Sequence, residues 1–256
     1  MGVSALIAAA ALAVSPQQFL LAHRQPDGGF AETGGTSTTA LTAWAVLGLR
    51  AARTPVDDVY VRTHEADLTT PTELALGVLA EARPSEALLA RLERARTPTL
   101  NATAWKLVAL AQASRPLPRG RVRFLLAHQA RSGGWSWALG GAPDSNDTAA
   151  AIQALRAARV GGRPIRRALA YLRRLQNKDG GFGLTQGRGS DAQSTGWAIQ
   201  AFLAAGARPG RAAYAYLGRL RRADGSYRYS ASYATTPVWV TAQVLPALAG
   251  RSFPLR

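Results

Sequence analysis

The chain of 256 residues contains no cysteine. That excludes disulfides, thiolate metal sites and a cysteine nucleophile. Three histidines, His23, His64 and His128, are too few and too scattered to suggest a metal cluster by spacing, so no metal is expected. No motif asks for a cofactor. Lysine is nearly missing as well, with only Lys106 and Lys178. Acids are sparse: 15 Asp plus Glu stand against 31 Lys plus Arg, for a formal charge of +16 carried almost wholly by arginine. Such a balance suits nucleic acid, anionic lipid or an acidic polymer. An arginine-rich, solubilising surface accounts for it equally, and no base-reading motif is present, so nucleic acid is not the expected partner.

Long hydrophobic runs are also missing. The opening stretch 1–18 is uncharged, but Pro16 interrupts it and its apolar part, 5–14, is too short to span a bilayer. Two readings of residues 1–14 stand. One is the apolar region of an export signal, although no Lys or Arg precedes it and Pro16 sits badly beside a cleavage site after Ser15. The other is an apolar N-terminal arm. The first points to secretion or the cell envelope, the second is compatible with the cytoplasm. With 47% hydrophobic residues the chain has material for a packed core. Its oligomeric state is not set by the sequence.

What is present is a repeat. Segments beginning at Pro16, Pro55, Pro84, Pro118, Pro164 and Pro209 each open a helix-like run, and proline suits the first helical turn because its missing N–H has no partner there. These runs carry clustered arginine with Leu, Ala and Tyr at helical spacing, which gives each a wet and an apolar face. Between them lie six runs centred on Trp44, Leu74, Trp105, Ala150, Trp197 and Trp239, each starting in Thr, Ser, Asn or Asp. Residues 36–49 and 235–249 contain no charge. A helix without charge on any side is buried on every side. Half-wet helices alternating with buried ones imply two concentric layers. No polar capping repeat ends the array, so six inner helices are expected to close into a ring. The expected fold is all-α, an (α/α)6 toroid of six helix pairs forming one domain over 15–256.

Four outer-to-inner junctions share one spacing. They run Phe19-Leu20 to Arg24, Gly28 and Phe30; Phe124-Leu125 to Gln129, Gly133 and Trp135; Tyr171-Leu172 to Gln176, Gly180 and Phe182; and Tyr216-Leu217 to Arg221, Gly225 and Tyr227. Asp-Gly steps inside them are turn formers. The second and third repeats lack the motif. This spacing resembles the QW repeat of squalene-hopene and related triterpene cyclases. With its DGGF turns, it also resembles the prenyltransferase and squalene oxidase repeat. The resemblance covers about residues 15 to 250 and implies an α/α toroid around a central, mostly apolar cavity.

The chemistry needs its own test. Asp144-Ser145-Asn146-Asp147-Thr148-Ala149 resembles the DxDDTA box of class II terpene cyclases, whose middle aspartate protonates an alkene or epoxide. Asn146 occupies that position here, and an amide cannot deliver the proton. Asp144 and Asp147 match the supporting positions and are the candidate catalytic residues; both also suit a helix N-cap. Zinc-dependent protein prenylation needs a cysteine ligand, a DDxxD box is missing, and the Cys-Gly-Glu-Gln run of thioester domains is absent. His23 and His128 sit at equivalent outer-helix ends, and Glu73 follows Thr70 at capping-box spacing.

Trp44, Trp105, Trp197 and Trp239 are read at one level of the ring. Facing inward they form an aromatic belt for an isoprenoid, steroid or cationic group; facing outward they pack the two layers together. Asn146 and Asp191 join them as candidate ligand-binding residues. The inner-helix N-termini, gathered on one rim, would favour an anion if their N–H groups are unpaired. Three functions follow. The leading one is a non-catalytic toroid that binds an apolar or amphipathic small molecule, or a partner. The second is a small cyclase-like isomerase or lyase using Asp144, Asp147 or Asp191 on an isoprenoid. The third is a basic outer surface that binds a polyanion.

Overall fold

Seven of the twelve α-helices among the described residues start on a short polar side-chain cap. The computed structural model describes residues 14–255, so the proposed signal or apolar arm at 1–14 lies outside it except for Val14. Helix α1 (Pro16–Ala22) opens with a reciprocal capping box between Ser15 and Gln18. The other outer helices are α3 (Val59–Thr63), α5 (Glu86–Arg94), α7 (Arg119–Ala127), α9 (Arg163–Arg174) and α11 (Arg211–Leu220). The inner set is α2 (Thr39–Ala51), α4 (Pro71–Ala80), α6 (Leu100–Gln112), α8 (Ser145–Ala157), α10 (Ala192–Ala204) and α12 (Pro237–Leu248). Thr38, Thr70, Thr99, Asp144 and Asp191 each accept an amide of the inner helix that follows. A ribbon of β1 (Phe182–Gly183) and β2 (Ser190–Asp191) pairs Phe182 with Asp191.

The inner helices are buried nearly end to end, and each packs on the next: α2 on α4, α4 on α6, α6 on α8, α8 on α10, α10 on α12, and α12 back on α2. The expected ring of six pairs therefore forms and closes. Gly48 permits the closure. A Cβ there would lie 2.6 Å from the Ala242 carbonyl of α12, so a side chain would push the seam apart. The prolines fit the expectation only in part. Pro16 and Pro164 stand in a first helical turn, whereas Pro55, Pro84 and Pro209 fall in the preceding connection and Pro118 is itself an N-cap. Proline is equally suited to an extended lead-in, which the spacing does not distinguish.

Each repeated turn does the same work. Gly28, Gly133, Gly180 and Gly225 all take positive φ, between 86° and 100°. Gln129 and Gln176 donate to the carbonyls of Gly133 and Gly180 at 2.8 and 2.9 Å, and Arg24 does so to Gly28 at 3.1 Å. The aromatic two residues later turns inward and its amide donates to an inner-helix threonine: Phe30 to Thr42, Trp135 to Thr148, Phe182 to Thr195 and Tyr227 to Thr241, at 2.9–3.0 Å. The histidines close outer helices. Nδ1 of His23, His64 and His128 donates to the carbonyl four residues back, with the ring against Phe19, Tyr60 or Phe124. His64 thus belongs with the other two.

Candidate functional site

Those threonines set the register of the lumen. Counting from Thr42, Thr148, Thr195 and Thr241, the residue two positions on is Trp44, Ala150, Trp197 and Gln243. Trp239 therefore stands one helical turn nearer the N-terminal rim than the other tryptophans, level with Asn146. The same count from the N-caps puts Leu76, not Leu74, level with Trp44. The shared level expected for all four tryptophans is corrected accordingly: Trp44, Trp105 and Trp197 each follow a Thr by two residues, whereas Pro237 stands two residues before Trp239.

Trp44, Trp105 and Trp197 come from alternate inner helices and meet at the axis. Their ring centroids are 5.6, 5.7 and 5.2 Å apart, each pair edge to face, the geometry aromatic quadrupoles favour. Small or slender residues alternate with them, so one layer interdigitates. From the opposite end the C-terminal segment inserts Phe253, 6.2–6.4 Å from all three rings. It is tied in by its amide to Gln153 Oε1 at 2.7 Å and by the Leu255 amide to Gln112 Oε1 at 2.9 Å. The tryptophans face inward, but they fill the centre with one another. The central cavity implied by the family resemblance is plugged at this level.

Above the plug the ring ends in its N-terminal mouth. Ala40, Thr72, Asn101, Asn146, Gln193 and Trp239 are half-buried there, one from each inner helix. Trp239 lies 6.3 Å from Trp44 and so stands on the plug. The amides are linked: Asn101 Nδ2 donates to Asp147 Oδ1 at 2.6 Å, and Gln193 Nε2 to Gln243 Oε1 at 2.8 Å, which also accepts the Trp197 indole N–H at 3.1 Å. Asn101, Gln193 and Gln243 were not recognised in the sequence. The signal available for Asn101 and Gln193 was their position two residues after an N-cap, and for Gln243 its place two residues after Thr241.

The acids have defined local roles. Asp144 caps α8, accepting the Asp147 amide at 2.8 Å. Burial, then the neighbouring Asp144 carboxyl, raises the pKa of Asp147, which the Asn101 amide only partly offsets. Asp147 therefore favours its neutral form. Asp191 caps α10 and accepts both the amide and hydroxyl of Ser194, at 2.7 and 2.8 Å; burial raises its pKa against those hydrogen bonds. Among the described residues no cluster of His, Asp and Glu could hold a metal ion.

At four of the six inner helices the rim does not offer the free amides expected of it. The connection after each turn reaches over the N-terminus of the preceding inner helix. Trp137, Leu184 and Tyr229 carbonyls accept the amides of Asn101, Ser145 and Ala192 at 3.1, 2.9 and 2.7 Å. At α12 the Glu32 carboxylate takes the Val238 and Trp239 amides at 3.0 and 2.8 Å. The anion site is already occupied by the protein itself.

No protein-family model matches the chain. Drimenyl diphosphate synthase from Streptantibioticus cattleyicolor is 34% identical over 182 residues, which is 65% of this chain and 31% of that protein. The chain thus spans about a third of that relative's length. Among solved structures, the type II terpene cyclase MstE from Scytonema superposes with a TM-score of 0.65 at 15% identity, covering 91% of this chain and 95% of that one. Haptocorrin in complex with Cbi gives 0.62 at 14% identity, over 93% and 66%. A glycosidase gives 0.61 at 12% identity, over 92% and 94%. Likeness at these identities shows fold alone, and one fold here serves a cyclase, a glycosidase and haptocorrin.

Proposed function

Starting from a terpene cyclase-like α/α toroid, we propose that this protein is a non-catalytic binding toroid that takes an amphipathic small molecule at the mouth of its lumen. The observation that carries the reading is the Trp44–Trp105–Trp197 plug, sealed from below by Phe253. An extended isoprenoid cannot thread a centre filled in this way. The position matching the proton donor of class II cyclases is Asn146, and an amide does not protonate an alkene. Half-buried above the plug are three amides and one indole. Asn101, Asn146 and Gln193 can pair with hydroxyl, amide or carbonyl groups, and Trp239 can bear an apolar face. Haptocorrin, solved in complex with Cbi, supports a binding use of this barrel.

Organic and aqueous-methanol extraction of the native protein, with mass spectrometry against a heat-denatured control, tests this. A stoichiometric species is expected, and Trp239→Ala should lose it at least tenfold, since burying one indole contributes on the order of 2 kcal/mol. A saturable ligand that Trp239→Ala leaves unchanged would sink the mouth as the site.

A second reading is an isoprenoid-processing enzyme. It is favoured by Asp147, a buried carboxyl held toward its neutral, proton-donating form, and by the relative named drimenyl diphosphate synthase. Turnover of any polyprenyl diphosphate that Asp147→Asn abolishes would establish it in place of the first.

A further inference from the structure

The N-terminal rim carries the greatest concentration of exposed apolar side chains. Trp137 is 61% exposed, Leu139 51%, Leu184 36% and Tyr233 63%. They belong to the three connections that follow α7, α9 and α11, which lean over α6, α8 and α10, neighbours in the ring. The four side chains therefore stand over three successive inner-helix starts. Its loops are not loose: the carbonyls of Trp137 and Leu184 themselves accept inner-helix amides, and Ser136 Oγ donates to Ala138 at 2.6 Å. A built structure thus holds large apolar groups in water, which soluble surfaces rarely do without a partner.

Around them stands a cationic collar. The outer helices end on this same side, because each leads directly through its turn into an inner-helix start. Exposed Arg131, Arg174, Arg188, Arg219 and Arg222 lie on or beside those turns. Two bond to carbonyls, Arg174 to Ser132 and Arg219 to Asp179, while Arg222 stands 3.9 Å from the Asp224 carboxylate. The two carbonyl bonds fix the guanidinium and leave its charge uncancelled. The loop tips themselves contain Arg188 and Arg228 but no Lys, Asp or Glu between 135 and 143, 183 and 190, or 228 and 236.

We propose that this rim docks peripherally on an anionic lipid surface, with Trp137, Leu139, Leu184 and Tyr233 at the headgroup level and the arginine collar on the acidic headgroups. Amphipathic aromatics favour that depth, and basic side chains near an anionic leaflet add attraction. No helix among the described residues is long and apolar enough to cross a membrane, so the contact is made by the rim. Face-to-face pairing with a second copy is disfavoured by the same collar, which would meet its own charge. The inference stands independently of a ligand in the mouth.

Flotation of the full chain with vesicles tests it. Binding is expected to equal-part phosphatidylcholine–phosphatidylglycerol vesicles, with at least tenfold weaker binding to phosphatidylcholine alone and a steep loss with added salt. Trp137→Ser combined with Leu139→Ser should lower partitioning about tenfold without moving the thermal melt, because both side chains are exposed. Arg131→Gln combined with Arg222→Gln should flatten the salt dependence. Equal binding to both vesicle types, or partitioning untouched by the Trp137 and Leu139 changes, overturns the proposal. So does a lipid-free dimer that those changes dissociate, which would assign the patch to a second copy.

Discussion

Two parts of this barrel solve the same problem differently. Where α1, α7, α9 and α11 meet their inner partners, a glycine turn and an amide-to-threonine bond join the layers through uncharged groups at a fixed spacing. In the corner made by α3, α4, α5 and α6 that turn is missing and charged side chains take over. Eight of the fifteen acidic residues fall between 57 and 93. Arg50 pairs with Asp58 at 2.9 Å and also donates to the Ala80 carbonyl. Arg91 reaches the carbonyls of Glu65 and Leu68, and buried Lys106 those of Glu93 and Ala95. A helix end without a glycine turn leaves carbonyls unpaired, and long cationic side chains are the donors that reach them. The comparison teaches that the repeat motif is one way of satisfying helix ends, replaceable by ions at the cost of sensitivity to pH and salt.

The largest expected effect breaks the turn side. Gly180→Ala puts a Cβ 2.6 Å from the Ala212 carbonyl at a residue with φ of +86°. Left-handed strain and a backbone clash together should cost about 3 kcal/mol in urea unfolding. A loss below that of an ordinary surface substitution would mean the turns do not hold the layers. On the ionic side the next effect belongs to Glu81. It is buried, and neither carboxyl oxygen has a hydrogen-bond partner. Burial, with the charges of Glu65 and Asp58, pushes its pKa up to about 7, against the Ser85 amide and Arg62. Its folded form holds a proton that the unfolded chain releases near 4.5, so its contribution is complete below about 4.5 and lost as pH rises to about 7. Stability should fall by about 2 kcal/mol across that window, and Glu81→Gln should flatten the fall. Asp147, also raised, adds a slope of the same sign that Glu81→Gln leaves in place. Asp57, Asp58 and Glu73 work in the opposite direction. Burial alone would raise them, but hydrogen bonds, joined at the two aspartates by arginine neighbours, hold them low, so their contribution disappears in acid.

The same contrast marks what was legible in the sequence. The turn repeats announced themselves, because a positive-φ glycine and an inward aromatic leave fixed residues at fixed spacing. Alternating charged and uncharged helices then implied two layers and a closed ring. The corner left no such trace: Arg50, Arg91 and Lys106 reach partners whose spacing follows no repeat. In the lumen, residue type was visible and direction was not. Trp44, Trp105 and Trp197 were found, but their meeting at the axis depends on coming from alternate helices of a closed ring. Trp239 was placed a turn too deep because α12 takes its N-terminal cap from Glu32, far away in sequence. Asn101, Gln193 and Gln243 carry no motif at all. Their importance appears only when six helix starts are aligned.

The smallest effect sharpens the comparison from the ionic side. Arg115 pairs with Glu86 and approaches Glu93 at 3.9 Å, at the outer edge of the corner. The Glu86 side chain is 83% exposed, so water screens the pair and ordering two long side chains offsets much of its attraction. Arg115→Ala should cost less than about 0.5 kcal/mol in low salt and nothing measurable at high salt. Arg50→Ala is the contrasting change. It removes the partner of Asp58, whose side chain is only 12% exposed, together with the donor to the Ala80 carbonyl. That substitution should cost about 2 kcal/mol and keep most of the loss in salt. Unfolding both variants across a salt series separates the two kinds of charge. If Arg50→Ala proved as mild and as salt-sensitive as Arg115→Ala, the corner's ions would be a solvated surface, and the turns alone would hold the barrel closed.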